Sequence, residues 1–504
     1  LVNSDQDAGL KFNGIVPPYT NPNGIEAITT IEGINFDEDA SNSGFYHIPP
    51  DPHGAAGPSH LVSVTNTTIE WFTKAGVTQN SQRLGKNSTT AVGSFFASLA
   101  PLTGTFDPKV IYDQYNNRFV VVALEQTTSP SNTSRILVAV SQTNDPNSGW
   151  YFTSINSAVT ITSLCWADYP GIAVTDDAIL ITNNMFSFSA NSFQGSRLWI
   201  IQKTPFYSGG VASVVIYDPS TLASVPSQNF TMQPAHMFGT LPAGVKSYLV
   251  ASGWSAGAID YFSVITIGGT SASPTFTNTF VSHLSDVHNT GVAFPEAPQS
   301  GTATLINTPG NRVMNTVWRN NNLWAVNTVN PPLGTDASQA TAHWYRMGTS
   351  GTIAIADQGN IGGEGIATGT HTFYPSIAVN NNDEMCVGFA ASAPTIYPGC
   401  YYTGRASTDP AGFTILPDVV RAGLDYYIRT FGSGRNRWGD YSGTSVDPST
   451  QSFYLFNQYS LVRGTLLSGE DGRWGTVFGL VPVGSLPVEL TSFSATTIGS
   501  KVKL

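Results

Sequence analysis

The sequence predicts an all-β fold, a seven-bladed β-propeller of four-stranded antiparallel blades. Composition gives the first indication: only 11% of the 504 residues are charged, while 49 are glycine and 31 are proline. This mixture is typical of many short strands joined by turns. The second indication is a repeat, in which an acidic or aromatic residue in a Gly/Pro turn precedes two runs of alternating apolar residues. Units of this kind cannot bury their own faces and must stack on one another.

Seven copies of the repeat can be recognised, two of them weaker than the others. The intervals of about 55 to 80 residues each accommodate four short antiparallel strands and their turns. An array of two-sheet sandwiches would need about 100 residues per unit, so the period favours the propeller. In the first full unit the candidate strands are 107–113, 118–125, 135–141 and 150–155. The anchors of the seven copies are Asp51, Asp107, Asp168, Pro234, Arg312, Tyr374 and Asp440.

Closure of the ring predicts a role for the first part of the chain. A closed propeller leaves no free sheet edge at its seam, and one terminus usually completes the blade that the other begins. The alternating run 25–36 is the predicted closing strand, paired with the run that starts at Trp474. We therefore divide the chain into an N-terminal extension (1–24), the propeller (25–482) and a C-terminal segment (483–504). That segment is the predicted linker and truncated first hairpin of another module.

Charge and hydropathy exclude some partners. The net charge is -11 and the chain has no Lys/Arg cluster, so nucleic acid is not expected to bind. No apolar run of about 18 residues is present to span a membrane. Residues 1–16 lack the basic and apolar regions of a signal peptide, which predicts a mature form. The low charge and the Ser/Thr/Asn-rich surface are compatible with self-association.

Three cysteines and no CxxC pair argue against a zinc or thioredoxin-like site. Cys386 and Cys400 lie on two apolar runs. If these runs pair about a turn near residue 393, the sulfurs face each other, and either a disulfide or two buried thiols would result. Cys165 is expected to be a buried, unreactive thiol.

Two resemblances concern the cellular location of the protein. The string from Leu486 to Ala495 resembles the opening of the fibronectin/immunoglobulin-like modules that precede the sorting tail in proteins exported by type IX secretion. The runs starting at Tyr374 and Arg437, in the last two predicted blades, resemble a widespread family of secreted bacterial propellers. The resemblance implies a secreted, extracellular or cell-surface location. Because this family is mostly without assigned function, it implies no catalytic residues.

Sialidases are also propellers, but their Ser-x-Asp-x-Gly-x-Thr-Trp turn is not found in this sequence. A sialidase-type site needs three arginines that converge on a carboxylate. Candidates for that role are Arg312, Arg319, Arg405 and Arg437.

The turns that enter the first strand of each blade predict a site. In a propeller these strands line the axis, so their entry turns reach the mouth of the central channel. A ring of polar and aromatic groups at a concave end is the default binding-site hypothesis. The residues placed there are Asp51, His53, Asp107, Lys109, Trp166, Asp168, Tyr169, His236, His371, Tyr374, Arg437, Trp438, Asp440 and Tyr441.

Three chemistries are compatible with this set. Carboxylates together with backbone carbonyls can hold calcium, and the candidates are Asp51, Asp107, Asp168 and Asp440. Aromatic and polar side chains can bind a sugar, and the candidates are Lys109, Trp166, Tyr169, His236, Arg437, Trp438 and Tyr441. An acid or base can hydrolyse or cleave a glycan, and the candidates are His53, His371, Tyr374 and Asp440.

Structural roles compete with each of these chemistries. An aspartate that recurs in most blades is typical of a residue that shapes its turn by accepting backbone N–H bonds. The tryptophans can pack between blades, and a single histidine can be satisfied by its own turn.

The expected function is therefore binding of a polysaccharide or cell-surface glycan by a secreted propeller stabilised by calcium. A glycan-active hydrolase or lyase with its site at the axial mouth is the alternative. A structural component of an extracellular assembly is a second alternative, and the sequence leaves open whether the protein is an enzyme.

Overall fold

The computed structural model describes residues 29–219, 229–254 and 259–482, together with the backbone of 496–498 and 501–503. The predicted fold class is confirmed, because seven antiparallel sheets of four or five strands form a seven-bladed propeller. The four strands predicted for the first full unit are all present, each with its ends within two residues of the prediction. The quoted string 486–495 lies outside the described residues.

The strands of each blade follow one another in the sequence. Blade 1 contains His53–Ala56, His60–Val64, Thr68–Thr73 and Thr78–Arg83. Blade 2 contains Phe106–Asp113, Arg118–Thr127, Thr133–Ser141 and Trp150–Asn156. Blade 3 contains Val159–Thr160, Leu164–Val174, Ala178–Ser187, Phe193–Gln202 and Ser213–Tyr217. Blade 4 contains Gln233–Pro234, Val245–Gly253, Tyr261–Thr270 and Ser273–Ser282.

The remaining blades depart from this order twice. Blade 5 contains Val313–Arg319, Asn322–Val329, Thr341–Gly348 and Ala354–Ile361, with His236–Met237 added in parallel at the edge of Val313–Arg319. Blade 6 contains His371–Val379, Met385–Ala393, Ile396–Arg405 and Asp418–Arg421. Blade 7 contains Gly443–Val446, Phe453–Leu461, Arg473–Val481 and, as its outermost strand, Thr29–Glu32.

The predicted closing strand is confirmed. Thr29–Glu32 pairs antiparallel with blade 7, with Thr29 opposite Leu480 and Glu32 opposite Val477. Ile31 is buried in a cluster that includes Phe72 of blade 1. The seam is thus closed by backbone pairing and by apolar packing.

The axial strands are the first strand of each blade, or the first long one in blade 3. They are His53–Ala56, Phe106–Asp113, Leu164–Val174, Gln233–Pro234, Val313–Arg319, His371–Val379 and Gly443–Val446. Each contacts the axial strands of the two neighbouring blades, and that of blade 7 contacts that of blade 1, so the ring is closed. Between blades the sheet faces pack through apolar clusters; one of these joins Ala55, Val62, Val110 and Phe119 of blades 1 and 2.

A few elements lie outside the blades. Helix Phe36–Ser43 starts at Asn35, whose side chain caps the first turn in a capping box with Glu38. It ends at Gly44, which has a φ of +85°. The other short elements are the helix Lys203–Phe206, the 3-10 turns Ala97–Leu99 and Pro146–Ser148, and the hairpins Ala297–Gln299/Thr302–Ile306 and Thr496–Ile498/Lys501–Lys503. Among the described residues, we find no helix of the length and apolarity that crossing a bilayer requires.

The predicted facing of Cys386 and Cys400 is wrong. Their strands do pair antiparallel, but Cys386 lies opposite Gly404 and Cys400 lies opposite Ala390. The tight turn comes after Ala393 instead of being centred on this residue. Each residue of the first strand therefore lies opposite a different partner from the one predicted. Both thiols are free and buried, so the alternative of two buried thiols holds. Cys165 is likewise buried and free, as expected, and burial raises the pKa of its thiol.

Candidate functional site

The entry turns of four blades share an unusual backbone conformation. Asp51, Asp107, Tyr169 and Tyr374 each precede a proline and have φ values of +48°, +49°, +52° and +52°. A left-handed conformation is costly for residues other than glycine. In blades 2, 3 and 6 the strand bulges at this position, and a bulge re-aims its side chain. The recurring turn thus directs one side chain in each of these four blades.

These side chains meet across the axis. Tyr169 of blade 3 donates its hydroxyl to the backbone oxygen of Asp440 at 3.2 Å, and Tyr441 of blade 7 donates to Asp107 Oδ2 at 2.9 Å. Since blades 3 and 7 are not neighbours, these bonds cross the ring. Tyr374 also donates to Asp440 Oδ1, at 3.1 Å. We call Asp51, Asp107, Tyr169, Tyr374, Asp440 and Tyr441 the axial cluster. Its tyrosines are buried, and it fills the axis at the level of the entry turns.

The acids of the axial cluster are held together mainly by hydrogen bonds. Asp51 accepts from the backbone N–H of Asp440 at 2.6 Å and from Asn66 Nδ2 at 2.6 Å. Burial, and then the neighbouring carboxylate of Asp440, raise the pKa of Asp51 well above its usual value. Burial, and then the negative charge of Asp168, raise the pKa of Asp107 well above its usual value. These acids therefore retain protons to a higher pH than surface carboxyl groups do.

Three charged residues, Arg312, Arg437 and Asp168, flank the cluster, and the guanidinium of Arg312 lies 4.5 Å from the centroid of the Tyr169 ring. Arg437 donates Nη2 to Asp440 Oδ2 at 2.8 Å. Asp168 is half-buried, and burial followed by the charge of Asp440 raises its pKa to about 6. In the described part of the chain, no group of three or more His, Cys, Asp or Glu side chains is arranged to hold a metal. Calcium binding stays a prediction.

A cavity of about 350 Å³ lies along the axis beyond the cluster. Its deep residues His53, Lys109 and Gln233 are buried, whereas Asn117 and Phe238 at its rim are more exposed. Because the axial strand of blade 2 runs from Asp107 past Lys109 towards the turn at Asn117, the cavity opens on the face opposite the entry turns. Its polar lining is His53, Lys109, Gln114, Asn117, Gln233, His236, Asn315, Arg319, Thr444, Ser445 and Gln451.

Lys109 lies where the cavity meets the axial cluster. Only 4% of its surface is exposed. Its Nζ lies 4.2 Å from the centroid of the Tyr441 ring, a cation–π contact. Burial lowers the pKa of Lys109 to about 7, although the charges of Asp107 and Asp51 oppose this shift. Within the described residues its ammonium group forms neither an ion pair nor a hydrogen bond.

The two histidines of the cavity are neutral at pH 7. His53 Nδ1 lies 3.0 Å from the backbone oxygen of Val110, and burial followed by the charge of Lys109 lowers its pKa to about 3. His236 Nε2 lies 2.9 Å from Gln114 Oε1, and burial lowers its pKa to about 3 as well. Its ring stacks on Phe238, with centroids 4.5 Å apart. Both histidines therefore serve as hydrogen-bonding groups and not as charges.

The structure divides the predicted site residues between two places. His53, Lys109 and His236 line the cavity. The axial cluster and its flank hold Asp51, Asp107, Asp168, Tyr169, Tyr374, Arg437, Asp440 and Tyr441.

Three predicted residues lie in other packing contacts. Trp166 packs against Phe106 and Phe186, and Trp438 packs edge-on against Tyr427. His371 Nδ1 accepts the backbone N–H of Ala340 at 3.1 Å. The observed contacts of these three side chains match the structural roles given above as alternatives to ligand binding and catalysis.

Several cavity residues were not among the sequence-predicted site residues. The clearest is Asn315, which shares one face of the axial strand of blade 5 with Val317 and Arg319, and Arg319 had been named only as a candidate for a sialidase-type site. Side chains two residues apart point to the same face of a strand. This period of two was a signal in the sequence that could have identified Asn315, since one face of every axial strand must look onto the axis.

Comparisons with known proteins give distant structural similarities. No protein-family model matches the chain, and no curated protein is significantly similar to it in sequence. Among solved structures, Trypanosoma rangeli sialidase is similar with a TM-score of 0.42 and 10% identity over 84% of this chain. The match spans only 58% of that sialidase.

Two further structures match most of their own length. One is a protein of unknown function from Dyadobacter fermentans, with a TM-score of 0.40 and 10% identity over 74% of this chain and 94% of that one. The other is the α-L-arabinofuranosidase Arb93A from Fusarium graminearum, with a TM-score of 0.36 and 9% identity over 91% and 98% of the two chains.

Proposed function

We propose that this propeller binds a carbohydrate in its axial cavity, on the face opposite the entry turns. The observation that carries the proposal is the lining of the cavity. Amide and hydroxyl side chains of Gln114, Gln233, Asn315 and Thr444 supply donors and acceptors. Ile111, Val317 and Ile377 supply apolar contacts, and Phe238, whose ring is covered by His236 and Arg319, adds its edge. A hydroxyl-rich ligand with apolar ring faces needs this combination.

Gln233 supports the proposal most directly. It is 2% exposed, and in the described part of the protein its Nε2 has no hydrogen-bond partner. A buried donor without a partner costs about 1–3 kcal/mol, so such groups require an explanation. A ligand hydroxyl in the cavity would accept this bond.

The size of the cavity limits the ligand. A volume of about 350 Å³ is near the lower end of the usual range for ligand pockets, about 300–1,000 Å³. We therefore propose that it takes the end or a short segment of a glycan chain, with the rest of the chain outside.

We also propose that the protein is secreted and acts at the cell surface or outside the cell. It is supported by the resemblance of 486–495 to modules of type IX export and by the low content of charged residues. Self-association and calcium binding belong to the same proposal and are tested separately, by light scattering and by unfolding with and without a chelator.

Calorimetric titration with a panel of oligosaccharides tests the binding site. We expect Gln233→Leu, which keeps the side-chain volume, to weaken binding at least tenfold. Gln79→Leu on the exposed outer strand of blade 1 is the matched control and should bind as the parent protein does. Thermal unfolding of both variants checks the fold. Equal affinities of the two variants would overturn the assignment to this cavity.

A hydrolase or lyase on the entry-turn face is the second candidate. The observation in its favour is Asp168, an acid whose pKa is about 6 beside the carboxylate of Asp440. A carboxyl group that titrates near neutrality can act as a general acid next to an ionised partner. Release of reducing ends or unsaturated products that stops in Asp168→Asn would establish it. Filament formation without any glycan would instead favour a structural component.

A further inference from the structure

The charges around the axial cavity have one sign. The protein as a whole carries a net charge of -11. Nevertheless, the side chains that line the cavity include no aspartate or glutamate, and two of them are cations, Lys109 and Arg319. Since the histidines there are neutral, the cavity is a positively charged site in an acidic protein.

Lys109 is a buried amino group that forms no ion pair with a described residue, although the charges of Asp107 and Asp51 act on it from a distance. The other buried cations of the described residues are satisfied by partners: Lys203 Nζ lies 2.6 Å from Asp113, Arg405 forms an ion pair with Asp357, and Arg429 donates to three backbone carbonyls. Buried charges are expensive unless they are paired or hydrogen-bonded in this way. Lys109 forms no such pair with any described residue. This departure from the pattern of the molecule requires a reason.

The acids closest to Lys109 are already occupied. Asp107 Oδ2 accepts from the backbone N–H of Tyr169 at 3.0 Å and from Tyr441 Oη at 2.9 Å. Asp51 uses both of its oxygens as acceptors within the axial cluster. The carboxyl groups therefore serve the cluster, and the ammonium group keeps its donors for the cavity.

Arg319 repeats the arrangement nearer the rim. Its guanidinium lies over the Phe238 ring at 4.5 Å and donates Nη1 to Gln451 Oε1 at 3.3 Å. It forms no ion pair with a described residue, although the charge of Asp383 acts on it from a distance. The aromatic ring and the amide position this cation without neutralising it.

We propose that the carbohydrate bound in the axial cavity is acidic, and that Lys109 binds its carboxylate or sulfate group while Arg319 supplies a second positive charge near the rim. This inference rests on the proposed function, because it names the class of carbohydrate. The anion of the ligand provides the counterion that the protein lacks. Charge-assisted hydrogen bonds to an anion are stronger than neutral ones, and the low dielectric of a buried site strengthens them further.

Matched probes test the inference. Calorimetry at pH 6 would compare oligogalacturonate with its methyl ester, which has the same sugar backbone without the charge. A sulfated galactan oligosaccharide would be compared with its desulfated form, so that carboxylate and sulfate are distinguished. We expect the charged member of at least one pair to bind at least tenfold more tightly than its neutral partner.

Variants connect the preference to the residues. Lys109→Met and Arg319→Met each remove a charge from the cavity. Lys86→Met removes a charge from the loop after the outer strand of blade 1, where it forms no ion pair with the residues that the structure describes. We expect Lys109→Met to abolish the preference for the charged member with little effect on the neutral one. Arg319→Met should reduce the preference, and Lys86→Met should leave it unchanged.

The outcomes separate this inference from the proposed function. Equal binding of charged and neutral members, or a preference that persists in Lys109→Met, overturns the inference and leaves carbohydrate binding standing. Inorganic sulfate serves as a probe without any sugar. If it raises the unfolding temperature of the parent protein but not of Lys109→Met, while no oligosaccharide binds, the anion site stands and the carbohydrate proposal fails. If neither sulfate nor any oligosaccharide binds, both fail.

Discussion

Burial of the Lys109 amino group destabilises the folded protein, and the fold alone does not require a lysine at this position. Its pKa of about 7 in the folded protein lies below the value of about 10.4 expected in the unfolded chain. Below pH 7 the unfolded chain binds this proton more readily than the folded one, so the full destabilisation is present there. It fades as the pH rises towards 10. A residue that lowers stability in this way is typical of a functional site.

Replacing Lys109 should therefore stabilise the protein. We expect Lys109→Met to raise the unfolding temperature by a few degrees at pH 6 and by less at pH 9, because the penalty of the buried charge decreases over that interval. Thermal scans of the variant and the parent at both pH values measure this. A variant less stable than the parent at both pH values would show that Lys109 stabilises the fold.

Binding of an acidic ligand should weaken as the pH rises from 6 to 8. Lys109 contacts Tyr441, its charge lowers the pKa of His53, and the charges of Asp107 and Asp51 act on it. Across this interval Lys109, whose pKa is about 7, loses its proton, and this reduces the attraction for an anion. His53 is neutral throughout. We expect a decrease of up to about tenfold per pH unit, measured as the dissociation constant at pH 6, 7 and 8. A constant value would contradict this.

At the level of strands and turns, the seam is closed by one short strand. Four residues, Thr29–Glu32, cover the outer edge of blade 7. Ile31 is the one among them that is buried in the apolar cluster of the seam. The stability of the closure should depend strongly on that side chain.

Ile31→Asp tests the seam. An unpaired carboxylate in place of a buried isoleucine should cost about 2–5 kcal/mol and lower the unfolding temperature. Val77→Asp, at a position 59% exposed in blade 1, is the control and should have little effect. Thermal unfolding of the two variants measures the effect. Equal unfolding temperatures would mean that the closing strand contributes little to the stability of the protein.

The sequence was sufficient to predict the strands but not the positions of all the side chains that they carry. The alternating runs and turn residues around Asp107 indicated the strands of blade 2, and the run 25–36 indicated the closing strand. The register of Cys386 and Cys400 was missed because a turn displaced by two residues moves the opposite partner by four. Register depends on turn geometry, which the sequence around residue 393 did not define.

For the molecule as a whole, the axial cluster separates two faces. The seven anchors predicted the number of blades and the convergence of their entry turns. They did not predict that Tyr169, Tyr374 and Tyr441 fill the axis, since this depends on how far seven strands approach one another. His53 and Lys109, only two residues beyond Asp51 and Asp107, therefore lie on the other side of this barrier.

The two faces should respond independently to substitution. We expect Asp168→Asn, on the entry-turn face, to leave the affinity of the cavity for its ligand within twofold of the parent value, because additivity holds for separate sites. Calorimetric titration of this variant with an oligosaccharide that the parent protein binds measures the effect. A loss of binding comparable to that of Lys109→Met would place the ligand on the entry-turn face instead.

The closing strand also sets the order in which the protein can be made. Thr29–Glu32 belongs to a blade whose other strands span residues 443–481, so its partner does not exist until almost the whole propeller has been synthesised. Until then blade 7 is missing or incomplete, and the nascent chain presents unpaired sheet edges. Contacts so distant in sequence form slowly. Closure of the ring therefore has to wait until Val481 has been synthesised, which leaves an interval in which the unclosed ring is vulnerable to proteases and to pairing with other copies.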